Sequence, residues 1–261
     1  MRRGTIPIRR AQLITTFGPG SITVSPDGYP LLIAGLDEWY VNWPNSRNTV
    51  DPSKFVFHDP RLEVRLNVSA FRLPPDFRPS HANRNQSNAD ITVPAYLFPR
   101  WYFCSRCNRL KCFSPNHADS RRTHKGNEDI RCSLKSEVSD QDCSTSPGQF
   151  RPVPLLAVCD KGHIQDFPFR QWLHQDPVPR CTRTMYIFGV GGPIEDQRLV
   201  CACGEKRSLS GVLEHKLDQI PPTSDLTAKL AADGRRYLCR GLKAWTGNIQ
   251  EPVSYTHLRA H

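Results

Sequence analysis

The sequence predicts a loop-rich α+β fold built from short β-hairpins, a few short helices and small modules pinned by cysteine pairs. Three observations predict it. Proline and glycine number 23 and 16 in 261 residues, and both interrupt regular elements. The apolar runs are short and rich in β-branched and aromatic residues, as strands are. Ten cysteines are present, several of them closely paired. A hydrophobic fraction of 38% is enough for a core, and the length suits one large domain or two modest ones. The expected division is a β-rich region over residues 1–100 and a cysteine-rich region over 101–251.

Along the chain, RRAQLITTF reads as one or two helical turns stopped by Gly18-Pro19-Gly20. A hairpin follows, Ser21 to Ser25 and Leu31 to Ala34 around a Pro26-Asp27-Gly28 turn. Leu62, Val64, Leu66 and Val68 alternate as the face of a half-buried strand. Pro74 to Asp90 reads as a polar loop, and ITVPAYLFPRWYF returns to strand composition. Ser114 to Gly148 has almost no apolar periodicity, so an ion or a partner is needed to order it. RPVPLLAVC resumes a strand, and Asp166 is the expected cap of a helix over DFPFRQWLHQ. TRTMYIFGV and RLVCAC read as strands on either side of a glycine-rich turn at 189–193. Ser208 is the expected cap of a helix whose stripe is Leu209, Val212, Leu213 and Leu217. Ser224 is the expected cap of a second helix ending near Gly234. Back-translated, Pro252 to His261 matches the adapter end of transposase-based sequencing libraries. That segment is expected to be a read-through scar, with the natural chain continuing past Glu251.

The cysteines carry the chemistry. Cys104-x-x-Cys107 is a knuckle spacing: two intervening residues aim both sulfurs at one ion while backbone N–H groups face them. Zn²⁺ takes four tetrahedral donors, commonly as two such pairs, and Cys132 with Cys143 is the expected second pair. Cys112 is an outside candidate. A second site is expected from Cys181, Cys201, Cys203 and Cys239, or from Cys159 and His163. This pattern makes the cysteine-rich region zinc-ribbon-like. No apolar stretch resembles a signal peptide or a membrane span, so the expected setting is the cytoplasm, where thiols stay reduced. Disulfides and a thioredoxin-type motif are the weaker readings, the latter because no βαβ pattern surrounds the knuckle.

The net charge of +10 favours acidic partners, nucleic acid first. From Arg100 to Lys125 the basic residues are Arg100, Arg106, Arg109, Lys111, Arg121, Arg122 and Lys125, opposed by Asp119 alone. Arg106, Arg109, Lys111, Arg121 and Arg122 are the expected phosphate contacts. Trp101, Tyr102, Phe103 and Phe113 lie among them and either stack on bases or fill the core. There is no GxxxxGK[ST] and no HExxH, and the zinc deaminase pattern is absent.

Several long strings resemble one family. RRAQLITTFGPGSI, IAGLDEW, FPRWYFCSRCNRL, VCDKGHIQDFPF with WLH, and CGEKRSLSG, in that order, resemble the DrmB family of the DISARM bacterial phage-defence system. The sequence departs from the family where Cys132 and Cys143 are widely spaced and where CxC stands at 201–203. The resemblance implies a non-motor, non-catalytic subunit working beside DrmA, a helicase-like ATPase, on invading phage DNA. It also implies a further helicase-associated region beyond this chain. The leading expectation is a zinc-stabilised DNA-binding and assembly subunit. The alternatives are a protein–protein scaffold without DNA contact, and a metal-dependent nuclease using Cys159, His163 and His174.

Overall fold

A computed structural model describes residues 9–25, 28–40, 50–75, 88, 91, 93–113, 131–213, 225–246 and 259–260. The fold is α+β, with four short helices, many short antiparallel strands and long connections among the described residues. The chain divides into two compact units, one of Met1–Tyr96 with Trp245–Gly247 and one of Leu97–Ala244 with Asn248–His261.

In the first unit, helix α1 (Gln12–Thr15) precedes a hairpin of β1 (Ile22–Val24) and β2 (Pro30–Ile33). Both elements lie where the sequence predicts them. Strand β3 (Val56–Phe57) pairs with β4 (Phe71–Arg72), and β5 (Ala95–Leu97) extends the hairpin in the order β1-β2-β5. The core gathers Leu13, Ile33, Trp39, Tyr40, Phe55 and Ile91, and the Trp39 indole N–H donates to the Ala34 carbonyl at 2.8 Å.

The expected strand at Leu62 to Val68 is instead helix α2 (Pro60–Leu66). Local capping overrides the alternation. The Asp59 carboxylate accepts the N–H groups of Arg61 and Leu62, both at 3.1 Å, and Pro60 supplies a preset first-turn φ. Glu63 reaches back to accept the Asp59 N–H at 3.1 Å, and left-handed Asn67 closes the helix. The alternating residues share no buried face: all four are exposed.

The second unit is built around the cysteines. Strands β6 (Trp101–Cys104), β7 (Leu110–Cys112), β8 (Arg131–Cys132) and β9 (Gly148–Pro152) form a sheet in the order β7-β6-β9-β8. Strand β10 (Leu156–Val158) pairs with β11 (Ile164–Asp166), and β15 (Arg259–Ala260) joins its other edge. That last strand lies within the segment read from sequence as a scar. Helix α3 (Phe169–His174) leads to the antiparallel sheet β12 (Met185–Phe188), β13 (Arg198–Cys201) and β14 (Lys206–Ser208). Helix α4 (Asp225–Lys229) follows. The core collects Leu110, Phe167, Phe169, Trp172, Ile187 and Leu199 with their neighbours.

Three expected helix boundaries differ in the structure. Asp166 does not cap α3. It ends β11 and binds Arg100, accepting the backbone N–H at 2.7 Å and Nε at 2.5 Å. Ser208 caps no helix among the described residues. Ser210 to Leu213 form turns, and the Ser208 hydroxyl accepts the Ser210 N–H at 2.9 Å, the local bond that competes with a helix start. Leu209 and Val212 are buried all the same. Helix α4 stops at Lys229 rather than near Gly234, which sits in a turn bridged by Ala232 and Arg235. Ser224, Leu217 and most of the loop from Pro74 to Asp90 lie outside the described residues. The glycine-rich stretch is a turn, with left-handed Gly189 and Gly191.

Candidate metal centres

Strand β6 ends at Cys104, and the chain then turns on left-handed Asn108 into β7. Two backbone bonds close this knuckle: Cys104 N–H to the Arg109 carbonyl and Asn108 N–H to the Cys104 carbonyl, both at 2.9 Å. The Cys104 sulfur receives the N–H groups of Arg106 at 3.4 Å and Cys107 at 3.5 Å. Cys132 arrives on β8 and Cys143 from the loop before β9. The four sulfurs lie within 4.8 Å of one another and all four residues are buried. Cys104 and Cys143 are 3.8 Å apart, Cys107 and Cys132 3.6 Å. A tetrahedron of sulfurs about 2.3 Å from a central ion has edges of about 3.8 Å. Disulfide sulfurs would sit at about 2.05 Å. The donor set and its spacing therefore fit a tetrahedral, thiolate-binding ion.

Gly148 makes room for this cluster. A Cβ there would collide with the Cys104 sulfur and stand 3.4 Å from that of Cys143. Burial opposes a charge on Cys104, but the N–H groups of Cys107 and Arg106 outweigh it and hold this thiol below its ordinary range. Burial pushes Cys107 and Cys143 the other way.

The second cluster joins His174, Cys181, Cys201 and Cys203. His174 ends α3, Cys181 follows in the next loop, and Cys201 ends β13. A tight turn with left-handed Gly204 then brings Cys203 round. The Cys181 and Cys201 sulfurs are 3.6 Å apart. The His174 Nε2 atom is buried and has no hydrogen-bond partner among the described residues. Burial and the Arg170 charge lower the His174 pKa, which favours the neutral imidazole that metals bind. The Arg183 N–H holds the Cys181 thiol below its ordinary value, whereas burial pushes Cys201 up to about 12.

The third cluster is Cys159, His163 and Cys239, all buried. The Cys159 sulfur lies 3.2 Å from His163 Nδ1.

The first cluster is thus the foursome the sequence predicts. The second needs correction: Cys239 does not join Cys181, Cys201 and Cys203 but meets Cys159 and His163, because strand pairing and not chain order decides which donors converge. His174 joins the second cluster, apart from Cys159 and His163, so the three residues of the nuclease reading do not share a site. Sequence spacing offered no rule for His174. Its signal is the WLH string at a helix end just ahead of Cys181. Among the described residues Cys112 joins no cluster, and it is exposed on β7.

The basic residues separate. Arg109 is engaged within the chain. It donates to the Lys135 carbonyl at 2.9 Å and Thr184 Oγ1 at 3.4 Å, pairs with Glu137 at 3.5 Å and lies over the Tyr186 ring. Arg106 donates to the Ser146 carbonyl at 3.2 Å but stays exposed. Lys111 is exposed with its ammonium over Phe113. Arg121 and Arg122 lie outside the described residues. Sequence reasoning missed Arg131 and Arg151, exposed on one face of the sheet that carries the first cluster. Of the aromatics, Tyr102 and Phe113 are buried, and Trp101 and Phe103 pack on the core.

The chain belongs to the family described as Domain of unknown function (DUF8724), which matches residues 9–260. It is also similar to the DISARM protein DrmB of Bacillus paralicheniformis (strain ATCC 9945a / NCIMB 11709 / CD-2). The two are 26% identical over 126 residues, 47% of this chain. The matched stretch covers 20% of the length of that relative. No helix among the described residues is long and apolar enough to cross a membrane.

Proposed function

We propose that this chain is a zinc-stabilised, non-catalytic component of a DISARM-type phage-defence assembly, holding DNA beside a helicase-like partner. One observation carries the zinc: four buried sulfurs with tetrahedral edges of 3.6 and 3.8 Å, over a glycine that leaves space for them. Thiolate-rich closed shells are structural rather than catalytic, and zinc is the ion that four sulfurs most commonly hold. Cys104, Cys107, Cys132 and Cys143 hold one ion, and His174, Cys181, Cys201 and Cys203 a second. The likeness to DrmB supports the defence role, and the cytoplasmic setting is part of the same proposal.

The DNA contact falls to Arg106, Lys111, Arg121 and Arg122; Arg131 and Arg151 lie on the opposite face of the sheet from Lys111. Arg109 acts indirectly by fastening the loop between Cys132 and Cys143 to β12. Charge reversal of Arg106 and Lys111 together should weaken binding to a fluorescent DNA probe and flatten the salt slope by about one for each phosphate no longer neutralised. Unchanged affinity would remove the phosphate role. The scaffold reading has one observation in its favour. Helix α2 buries none of its residues, and Val64 is 84% exposed, as on a surface that meets another protein. Under that reading the purified chain retains its helicase partner and binds no DNA.

A further inference from the structure

The two four-donor clusters leave Cys159, His163 and Cys239 unexplained. The Cys159–His163 turn is closed by backbone bonds: Cys159 N–H to the His163 carbonyl at 3.2 Å, and Gly162 N–H to the Cys159 carbonyl at 2.9 Å. Left-handed Gly162 allows that tight reversal, so the sulfur and the imidazole point to the same side. Cys239 arrives from the far end of the unit, its sulfur receiving the Gly241 N–H at 3.3 Å. Relative exposures are 6%, 3% and 7% for Cys159, His163 and Cys239. The 3.2 Å separation of Cys159 Sγ and His163 Nδ1 is close to the sulfur–nitrogen edge of a tetrahedral zinc shell, about 3.5 Å.

We propose that Cys159, His163 and Cys239 form a third metal centre, different in kind from the other two, whose fourth coordination position takes an exchangeable neutral donor. Two features carry this. Among the described residues three donor atoms converge there and not four. Three protein donors with one position left over is the arrangement in which zinc accepts water or an incoming ligand. Charge balance then selects the incoming class. Two thiolates, a neutral imidazole and Zn²⁺ sum to zero, which suits a site whose cysteines belong to the apolar core. A neutral fourth donor, water or a nitrogen base, preserves that balance. The centre also ties the segment before Gly241 to the β10–β11 hairpin.

The inference rests on the zinc reading above, and the test separates the two. The full chain is loaded with Co²⁺, the bound ions are counted, and its visible bands are recorded as imidazole is added. Three ions per chain are expected in the natural sequence and two in Cys239→Ser, with Cys239→His restoring the third. Imidazole should shift the bands of the natural chain and leave those of Cys239→Ser unmoved. Two ions in the natural sequence, or three whose bands ignore imidazole, would overturn this centre and leave the zinc reading standing. No bound cobalt at all would remove both. Should Cys239→Ser fail to fold, the ion count and imidazole titration of the natural chain still decide the matter.

Discussion

Gly148 has no side chain because the Cys104 sulfur occupies the space one would need. Gly148→Ala should therefore cost one ion per chain, read by metal analysis. Gly162→Ala meets nothing within 4 Å and suffers only the strain of a left-handed alanine, about 1–2 kcal/mol, so it should keep its ions. His174→Ala should lose the ion of the second cluster and His174→Cys should retain it, since either donor completes a tetrahedron. Acidity gives a further expectation. Burial raises the thiols of Cys107, Cys201 and Cys239, to about 12 for Cys201 and about 11 for Cys239, when no ion is bound. These sulfurs carry protons at neutral pH that an ion must displace, so affinity rises with pH and falls on acidification. Ion release to a coloured chelator across a pH series checks the sign. The Cys104–Cys107 knuckle was legible because its spacing is local. His174 was not, because its partners meet it only after a helix, a loop and a strand have been placed.

Among the elements, the contrast between α2 and the β1–β2 hairpin is instructive. The hairpin was legible from its two short apolar runs; Pro26 and Asp27 of the expected turn lie outside the described residues. Residues 62–68 alternate as a strand should, yet the Asp59 and Glu63 carboxylates accept the N–H groups at the helix start and Pro60 presets its first φ. Asp59→Ala should remove about 0.5–2 kcal/mol from α2, read as faster hydrogen exchange at Arg61 and Leu62. Helix α3 depends on packing instead. Trp172 is 1% exposed, donates its indole N–H to the Ser208 carbonyl at 3.0 Å and lies under the Arg207 guanidinium, 4.0 Å from the ring centroid. Trp172→Ala should cost about 3–5 kcal/mol, measured by denaturant unfolding, and should loosen His174 two residues on. Asp166 looked like a cap and serves as an anchor for Arg100, a long-range pairing that no local pattern announces.

At the scale of the whole molecule, the three clusters all lie in the second unit, among strands of two to five residues. Strands that short bury little apolar surface each, so under the zinc reading sulfur-bound ions supply cross-links that regular structure does not. The first cluster joins β6, β8 and the loop before β9, and the second joins α3 to β13. Asn108 in the first knuckle accepts the Ile187 N–H of β12 at 2.9 Å, which couples the first cluster to the sheet that ends at Cys201. The loop-rich α+β class was legible from composition. The partition of the donors was not, because it is set by which strands pair. The most direct measurement is hydrogen exchange on the full chain before and after removal of bound metal with a strong chelator. Protection should vanish across residues 131–213 while that around Trp39 and Phe55 in the first unit persists. Unaltered protection across 131–213 would contradict the claim that sulfur-bound ions hold this unit together.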